Sequence, residues 1–598
     1  AADLYRSLWT FFPDELDHGL NLAETLSTAG RNAEARAVID ELRRLPEPEG
    51  QDPRIDLKEA EIAMRMADYA AQLKAAERAI EKGEELAEIQ VMAEGLTYKG
   101  DALLLSGNPR ESIVHYQRAR TMFGQAGNKP AEAKLLLSLG VSLQQMSNLA
   151  EARDMIESAL DAAEKQGSSR SISLLQANLA VLHMDLGDVR GARELIEPAY
   201  AAFKAEGDRV REEKALYVLS TALLAQGDVA GSRQRLQMVR NLAQQTGNRT
   251  DLVVTLDDLG VLLARQNSPA QAMRLHNQAL AISRSLGDQG RIARVLISMG
   301  DTLTQMGALT RARQCYAEAF EHARAMGHRL LVARASGGLS RLSYVQGDLA
   351  TARRHAESEL RIALDAGAQP IAIRARADLA QLYLAGGELD TARRYLDEAL
   401  DTANSLGLEL EKMTLHLRLA RVALAEGDTQ AAAALARETA DWFGKRQLVA
   451  DQARSLAVLA EALLTSKRLA EAQEVASQLR ALAGNSDDLE LRITAAVQAA
   501  RIGSTAGEVG ESFMKMRQAE EMARNTGLVA AGLEARLVLG QFQLERLDRV
   551  AGREALEGLR REAEAKGFWR VAGHAAEALQ VNRSPRSPAP PGAPVAGR

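Results

Sequence analysis

Small and large apolar residues follow each other in a fixed register along most of the chain, and the period of this pattern is 40 residues. One column contains only Gly, Ala or Ser, at Gly100, Gly140, Ala180, Ser220, Gly260, Gly300, Ser340, Ala380, Ala420, Ala460, Ala500 and Gly540. A second small column lies twelve positions further on, at Ser112, Ala152, Ala192, Ser232, Ala272, Ala312, Ala352, Ala392, Ala432, Ala472, Ser512 and Gly552. A nearly continuous line of leucines directly precedes the first column, at Leu139, Leu179, Leu219, Leu259, Leu339, Leu379, Leu419, Leu459 and Leu539.

Columns of this kind indicate paired helices. Two helix axes approach to about 8 Å only where the side chains at the crossing are small. Large apolar residues beside the crossing then fill the remaining space at high density. Aromatic residues make up only 4% of the chain, which is typical of an Ala- and Leu-rich helical core. The pattern therefore predicts an all-α protein.

Glycines mark the ends of the predicted helices. Glycine is well suited to the left-handed backbone just past a helix end, and such a column lies at Gly127, Gly167, Gly207, Gly247, Gly287, Gly327, Gly367, Gly407, Gly527 and Gly567. A representative unit is predicted to run as helix 130–146, turn 147–148 and helix 149–166. Turns within the pairs fall near positions 30, 67 and 107, and then every 40 residues up to 547. This spacing predicts about fourteen helical hairpins.

Three regions follow from the regularity of the pattern. Residues 1–90 are predicted to form irregular N-terminal hairpins, because the first two turns are out of step and a Pro-Glu-Pro-Glu-Gly segment separates them. Residues 91–579 are predicted to form the regular 40-residue array. Residues 580–598 are rich in proline and are predicted to be a disordered tail.

The spacing of Leu139-Gly140, Ala152 and Ala159 resembles the Leu-Gly, Ala and Ala positions of the tetratricopeptide repeat (TPR). This resemblance recurs over about residues 90–579, in a 40-residue variety of the repeat. It implies a right-handed α-solenoid whose first helices line a concave groove. It also implies that the groove binds peptides or protein domains.

A narrower resemblance covers the whole folded part and depends on the segments 8–35, 52–61 and 533–576. They are similar to the C-terminal TPR region of large bacterial signalling proteins, in which the effector is a serine/threonine protein kinase or a winged-helix DNA-binding domain. The chain begins Ala1-Ala2-Asp3 without an initiator Met, so we expect a fragment or a processed product. The resemblance implies a sensor or scaffold arm and supplies no catalytic residue.

Charge and composition limit the classes of partner. The formal net charge is −6, whereas a nucleic-acid-binding protein is usually basic, so we expect no direct contact with nucleic acid. No apolar run reaches the ~18 residues that a membrane span requires. The only cysteine is Cys315, which excludes a disulfide within the chain and favours a reducing compartment. We expect a cytoplasmic protein, with the periplasm as the alternative.

We find no arrangement of residues that indicates an enzyme. The chain has no phosphate-binding loop, no His-Glu-x-x-His motif and no Gly-x-Ser-x-Gly motif. Its nine histidines are dispersed, so no metal site is predicted. We expect no cofactor and no catalysis within this chain, and any kinase domain would lie upstream of Ala1.

One charged pattern suggests a binding face. Arginines recur in register on the predicted first helices, and a second set lies seven residues further along, which is nearly two helical turns. The two sets comprise Arg294, Arg334, Arg341, Arg374, Arg421, Arg454 and Arg501. If this face is the groove, it suits an acidic or phosphorylated protein segment. The alternative is a solvated helix face that keeps the protein soluble.

These observations predict a protein–protein interaction scaffold. The leading hypothesis is the sensor or partner-binding arm of a bacterial signalling protein, such as a TPR-containing serine/threonine kinase. The alternative is the TPR region of a winged-helix or similar transcriptional activator.

Overall fold

The computed structural model describes residues 2–66, 68–484 and 486–581. The α-helices within these ranges are α1 (Ala2–Phe11), α2 (Leu16–Thr28), α3 (Asn32–Leu42), α4 (Pro53–Arg65), α5 (Tyr69–Glu85), α6 (Ile89–Leu105), α7 (Pro109–Gln125), α8 (Lys129–Gln145), α9 (Leu149–Gln166), α10 (Ser169–Leu186), α11 (Val189–Glu206), α12 (Arg209–Ala225), α13 (Val229–Thr246), α14 (Arg249–Arg265), α15 (Pro269–Leu286), α16 (Gln289–Gln305), α17 (Leu309–Ala325), α18 (Arg329–Val345), α19 (Leu349–Asp365), α20 (Gln369–Ala385), α21 (Leu389–Leu406), α22 (Glu409–Ala425), α23 (Thr429–Lys445), α24 (Val449–Thr465), α25 (Leu469–Ala483), α26 (Leu489–Thr505), α27 (Val509–Thr526), α28 (Val529–Phe542), α29 (Arg549–Lys566) and α30 (Trp569–Val581).

The described ranges contain no β-strand, which confirms the predicted all-α class. A short 3-10 helix, Glu49–Gln51, precedes α4, and a π-helical segment, Gln543–Leu547, continues α28. Helices α2 to α29 pair in sequence order as fourteen hairpins, from α2/α3 to α28/α29. Helices α1 and α30 flank this array.

The repeat unit lies close to its predicted position. The helices predicted at 130–146 and 149–166 are α8 (Lys129–Gln145) and α9 (Leu149–Gln166). The division into residues 1–90, 91–579 and 580–598 stays a prediction. Of the predicted disordered tail, residues 582–598 lie outside the described residues.

Both columns of small residues are buried at every position. At Gly140, an added Cβ would lie 2.5 Å from Cγ1 of Ile156 on the partner helix. At Gly300, it would lie 2.5 Å from Cε1 of Tyr316. A methyl group therefore does not fit at these crossings, and the small residues are what lets the paired helices approach.

The turns keep a left-handed residue even where glycine is absent. Gly167 ends α9 with a φ of 67°. Ser147, in the turn between α8 and α9, has a φ of 65°, and Gln447, at the end of a second helix, has a φ of 59°. The repeat geometry thus imposes this conformation on residues that seldom adopt it.

The solenoid closes into successive superhelical turns. Each first helix of a hairpin packs against the first helices of the adjacent hairpins, and several also contact the helix ten positions later: α10 with α20, α12 with α22, α14 with α24, α18 with α28, and α20 with α30. Ten helices are five hairpins. One superhelical turn therefore takes five hairpins, and consecutive turns touch.

Candidate functional site

A cavity of about 900 Å³ lies inside the superhelix. The first helices α6, α8, α10, α14, α16, α18, α20 and α22 supply most of its wall, together with the loop residues Ser106, Gly107, Gly287, Asp288, Met326 and His328. Apolar side chains cover much of the wall, among them Leu105, Met326, Leu330, Ile371 and Leu410. Because the wall combines residues from two superhelical turns, the cavity exists only while those turns are in contact.

Three of the predicted arginines line this cavity. Arg294 on α16, Arg334 on α18 and Arg374 on α20 occupy the same position in three successive repeats. The register that suggested a common face therefore brings these three side chains to one place. The other four predicted residues, Arg341, Arg421, Arg454 and Arg501, do not belong to the cavity wall.

Carboxylates of neighbouring helices neutralise five of the seven predicted arginines. The ion pairs are Arg294–Asp258 at 2.7 Å, Arg341–Asp301 at 2.6 Å, Arg374–Glu359 at 2.8 Å, Arg454–Asp488 at 2.7 Å and Arg501–Glu461 at 2.6 Å. Glu359 and Asp488 are buried. These arginines therefore help to hold adjacent repeats together, whatever else they contact.

Arg334 and Arg421 differ from the other five. Within the described part of the chain, neither side chain forms an ion pair or hydrogen bond. Arg421 is exposed, whereas Arg334 is half-buried in the cavity wall. Burial, together with the charges of Arg374 and Arg294, lowers the pKa of Arg334 to about 10. At neutral pH, Arg334 is thus a cation without a direct ion-pair partner in a partly enclosed space.

The cavity contains charged residues that the sequence pattern did not single out. Arg265, Arg291 and Arg418 line it, as do Asp185 and Glu411. The sequence contained a signal for Arg418. Thr414 stands where the preceding repeats have an arginine, and Arg418 lies one helical turn further along the same face of α22. The others have no comparable periodic signal.

Two carboxyl groups in the wall have no ion pair among the described residues. The Nε2 of Gln144 donates a hydrogen bond of 2.6 Å to Oδ2 of Asp185, and Oε2 of Glu411 has no hydrogen-bond partner within the described ranges. Burial raises the pKa of both carboxyl groups. The charges of Arg294 and Arg334 partly offset this rise at Asp185.

Within residues 2–66, 68–484 and 486–581, no group of three or more His, Cys, Asp or Glu side chains could hold a metal ion. Over the same residues, no helix is both long and apolar enough to cross a membrane. Cys315 is half-buried, and burial raises the pKa of its thiol, which disfavours the reactive thiolate.

Family comparisons agree with the repeat architecture. A model described as the MalT-like TPR region matches residues 260–480. Tetratricopeptide repeat models match residues 17–41, 91–165, 178–244 and 212–285. All of these models describe repeat arrays, which is consistent with a chain that is not an enzyme. No curated protein matches the chain.

Several solved structures are similar at low sequence identity. The Cut9–Hcn1 hetero-tetramer of the APC/C is 13% identical, with 96% of this chain and 98% of that chain covered and a TM-score of 0.47. A Rap protein complexed with Competence and Sporulation Factor is 16% identical, with 61% and 99% covered and a TM-score of 0.46. A STAND protein with a tetratricopeptide repeat sensor, from Pyrococcus horikoshii, is 14% identical, with 67% and 55% covered and a TM-score of 0.34.

At these identities and TM-scores, the solved structures do not bear on function. The assignment depends on the matched family models, on the buried small columns and on the fourteen consecutive hairpins. The chain is a tetratricopeptide repeat protein with a MalT-like TPR region.

Proposed function

We propose that this chain is a protein-interaction scaffold that acts as the partner-binding arm of a bacterial signalling protein, such as a TPR-containing serine/threonine kinase. Its partner presents an acidic or phosphorylated segment to the first helices. The alternative is the TPR region of a winged-helix or similar transcriptional activator. The two hypotheses share the binding role and differ in the effector domain.

One observation carries the proposal. Arg294, Arg334 and Arg374 lie in register on three successive first helices and line a common cavity. A periodic row of guanidinium groups matches an extended segment that carries carboxylates or phosphates at intervals, because each guanidinium offers several donors in a fixed plane. The existing ion pairs of Arg294 and Arg374 would be shared with such a ligand, so the free Arg334 should contribute most.

A peptide-binding assay tests the proposal. The probes are fluorescein-labelled decapeptides with blocked ends that carry glutamates, phosphoserines or, as a neutral reference, glutamines. We expect the acidic and phosphorylated probes to raise the fluorescence anisotropy of wild-type mixtures, and the neutral probe not to do so. The variant R294E/R334E/R374E should weaken binding of the charged probes by at least about tenfold, which is about 1.4 kcal/mol.

A matched variant controls for overall charge. R153E/R324E/R437E makes the same change in net charge at exposed arginines on second helices, and these arginines pair only with exposed carboxylates. It should bind the charged probes nearly as well as the wild type does. Equal binding by all three proteins would overturn the proposed role of the arginine row.

The effector domain requires a separate test. Determining the reading frame on the N-terminal side of Ala1 would reveal kinase catalytic motifs under the leading hypothesis. A basic winged-helix pattern there would favour the alternative.

A further inference from the structure

The size and wall of the cavity suit a small ligand. Binding sites for small molecules commonly enclose about 300–1,000 Å³ and combine an apolar wall with a few polar groups. This cavity has about 900 Å³ and an apolar wall that includes Leu105, Met326 and Leu410. Contacts of α10 with α20, of α12 with α22 and of α14 with α24 join the two superhelical turns around it. A folded domain is too large to enter this space.

The charges in the wall determine which small ligand fits. Six arginines line the cavity, and five of them have a carboxylate partner: Arg265 with Asp451, Arg291 with Asp288, Arg294 with Asp258, Arg374 with Glu359, and Arg418 with Asp378. Arg334 is the sixth, and the described residues offer its guanidinium no ion pair or hydrogen bond. One cationic group, whose donors have no partner among the described residues, therefore faces a cavity that combines apolar side chains with paired charges.

An unpaired, half-buried cation is unfavourable for folding. Partial burial removes water from the guanidinium, and the charges of Arg374 and Arg294 repel it more strongly than those of Asp257 and Asp301 attract it. A side chain of similar length without the charge would avoid both costs. Residues whose charge is unpaired in a partly buried position are often functional.

We propose that the cavity binds a small organic carboxylate whose anionic head pairs with Arg334 and whose apolar body contacts the leucine- and isoleucine-lined wall. This ligand is chemically distinct from the protein partner proposed above, and the two would compete for Arg334. Its binding site contains residues from both superhelical turns, so the ligand would also strengthen the contact between those turns.

Isothermal titration calorimetry at low ionic strength tests this inference. The probes are benzoate and hexanoate, with benzamide and hexanamide as neutral analogues of the same shape. We expect at least one of the two compounds, benzoate or hexanoate, to bind the wild-type chain in a 1:1 ratio with a Kd below about 1 mM. Its amide analogue should bind at least about tenfold more weakly, because it carries no negative charge to pair with the guanidinium.

Two variants of α18 localise the site. R334Q removes the unpaired charge and should weaken carboxylate binding at least about tenfold. R329Q makes the same change five positions away on the same helix, where Arg329 is exposed and pairs with Asp365 at 3.1 Å. R329Q should leave carboxylate binding unchanged. Circular dichroism should show that both variants keep the helical content of the wild type, and R334Q should unfold at the same or a higher denaturant concentration.

The inference is overturned if both carboxylates bind no better than their amides, or if R334Q and R329Q bind them alike. It is also overturned if only the acidic decapeptide binds, since the cavity would then serve the protein partner alone. Binding of a carboxylate through Arg334 without any binding of the decapeptides would support this inference and contradict the proposed partner.

Discussion

The Nε of Arg446 donates a hydrogen bond of 2.8 Å to the backbone carbonyl oxygen of Gly227, which lies 219 residues earlier in the chain. The guanidinium of Arg446 also lies 4.0 Å from the ring centroid of Trp442. The loop after α23 thereby contacts the turn between α12 and α13, across the boundary between two superhelical turns. This contact is part of what closes the superhelix around its cavity.

Replacing Arg446 should loosen the superhelix. R446A removes the hydrogen bond and the cation–π contact, so we expect the free energy of unfolding to fall by about 1–3 kcal/mol. Small-angle X-ray scattering should show an increased radius of gyration. The control is R437A, which removes an exposed arginine of α23, the helix that precedes Arg446. Identical scattering from R446A and the wild type would contradict this role.

Two glycines at the same repeat position allow the effect of backbone strain on stability to be measured apart from the effect of the contact between superhelical turns. Gly227 and Gly427 occupy the same position of the repeat and have φ values of +82° and +87°. An added Cβ at Gly227 would lie 2.6 Å from Cζ2 of Trp442, whereas at Gly427 it would meet no atom within 4 Å.

We expect both glycine-to-alanine variants to lose about 1–2 kcal/mol from left-handed strain. G227A should lose about 1–3 kcal/mol more, because the ring of Trp442 must move. Chemical denaturation measures both losses. If the two variants lose the same free energy of unfolding, the contact between the turns contributes little at this point.

The close approach of paired helices can be tested at Gly300. Tyr316 is fully buried against it, and its Oη donates a hydrogen bond of 2.6 Å to Oδ1 of Asp301. We expect G300A to reduce the free energy of unfolding by about 1–3 kcal/mol, because the added methyl group overlaps the ring. The control is G558A in α29, where an added Cβ meets nothing within 4 Å. Alanine there should raise stability by roughly 0.5–1 kcal/mol, and a loss at that position would contradict the packing argument.

Stability should depend on pH through His328. This residue precedes α18, and its Nδ1 accepts a hydrogen bond of 3.4 Å from the backbone N–H of Leu331. Burial lowers the pKa of His328 from 6.5 to about 4. Between these two pH values, the unfolded chain binds a proton at this ring and the folded chain does not. The free energy of unfolding should therefore decrease as the pH falls through this window.

The variant H328N isolates this effect, because asparagine also accepts a hydrogen bond at the start of a helix and does not titrate. We expect the wild type to lose about 1–3 kcal/mol relative to H328N between pH 7 and pH 4. Urea denaturation of both proteins across this range measures the difference. Parallel pH profiles would show that His328 is not the group responsible.

Much of the local architecture could be predicted from the sequence. The small columns placed Gly140 and Ala152 at a buried crossing, and the turn pattern gave α8 and α9 within one residue at each end. These features depend on contacts between neighbouring segments. The side chains at fixed spacing encode them directly.

The closure of the superhelix could not be predicted in the same way. It depends on small rotations between successive hairpins, which accumulate over five repeats and leave no periodic trace in the sequence. The cavity therefore was not predicted, although three arginines of its wall were. The sequence also contained a signal for two of the ion pairs, which the charge pattern alone did not reveal. Asp301 precedes Arg341 by one period of 40 residues, and Glu461 precedes Arg501 by the same spacing.

The five-hairpin turn limits how this protein can change in length by duplication or loss of repeats. Consider a single repeat inserted between Gly227 and Arg446. Each loop of one superhelical turn would then face a different loop of the next, and Gly227 would no longer contact the guanidinium of Arg446. A tandem duplication of five consecutive repeats would instead keep the existing pairs and add one whole superhelical turn. The number of repeats in related genes should therefore vary in steps of five within the coiled region and freely only at its two ends.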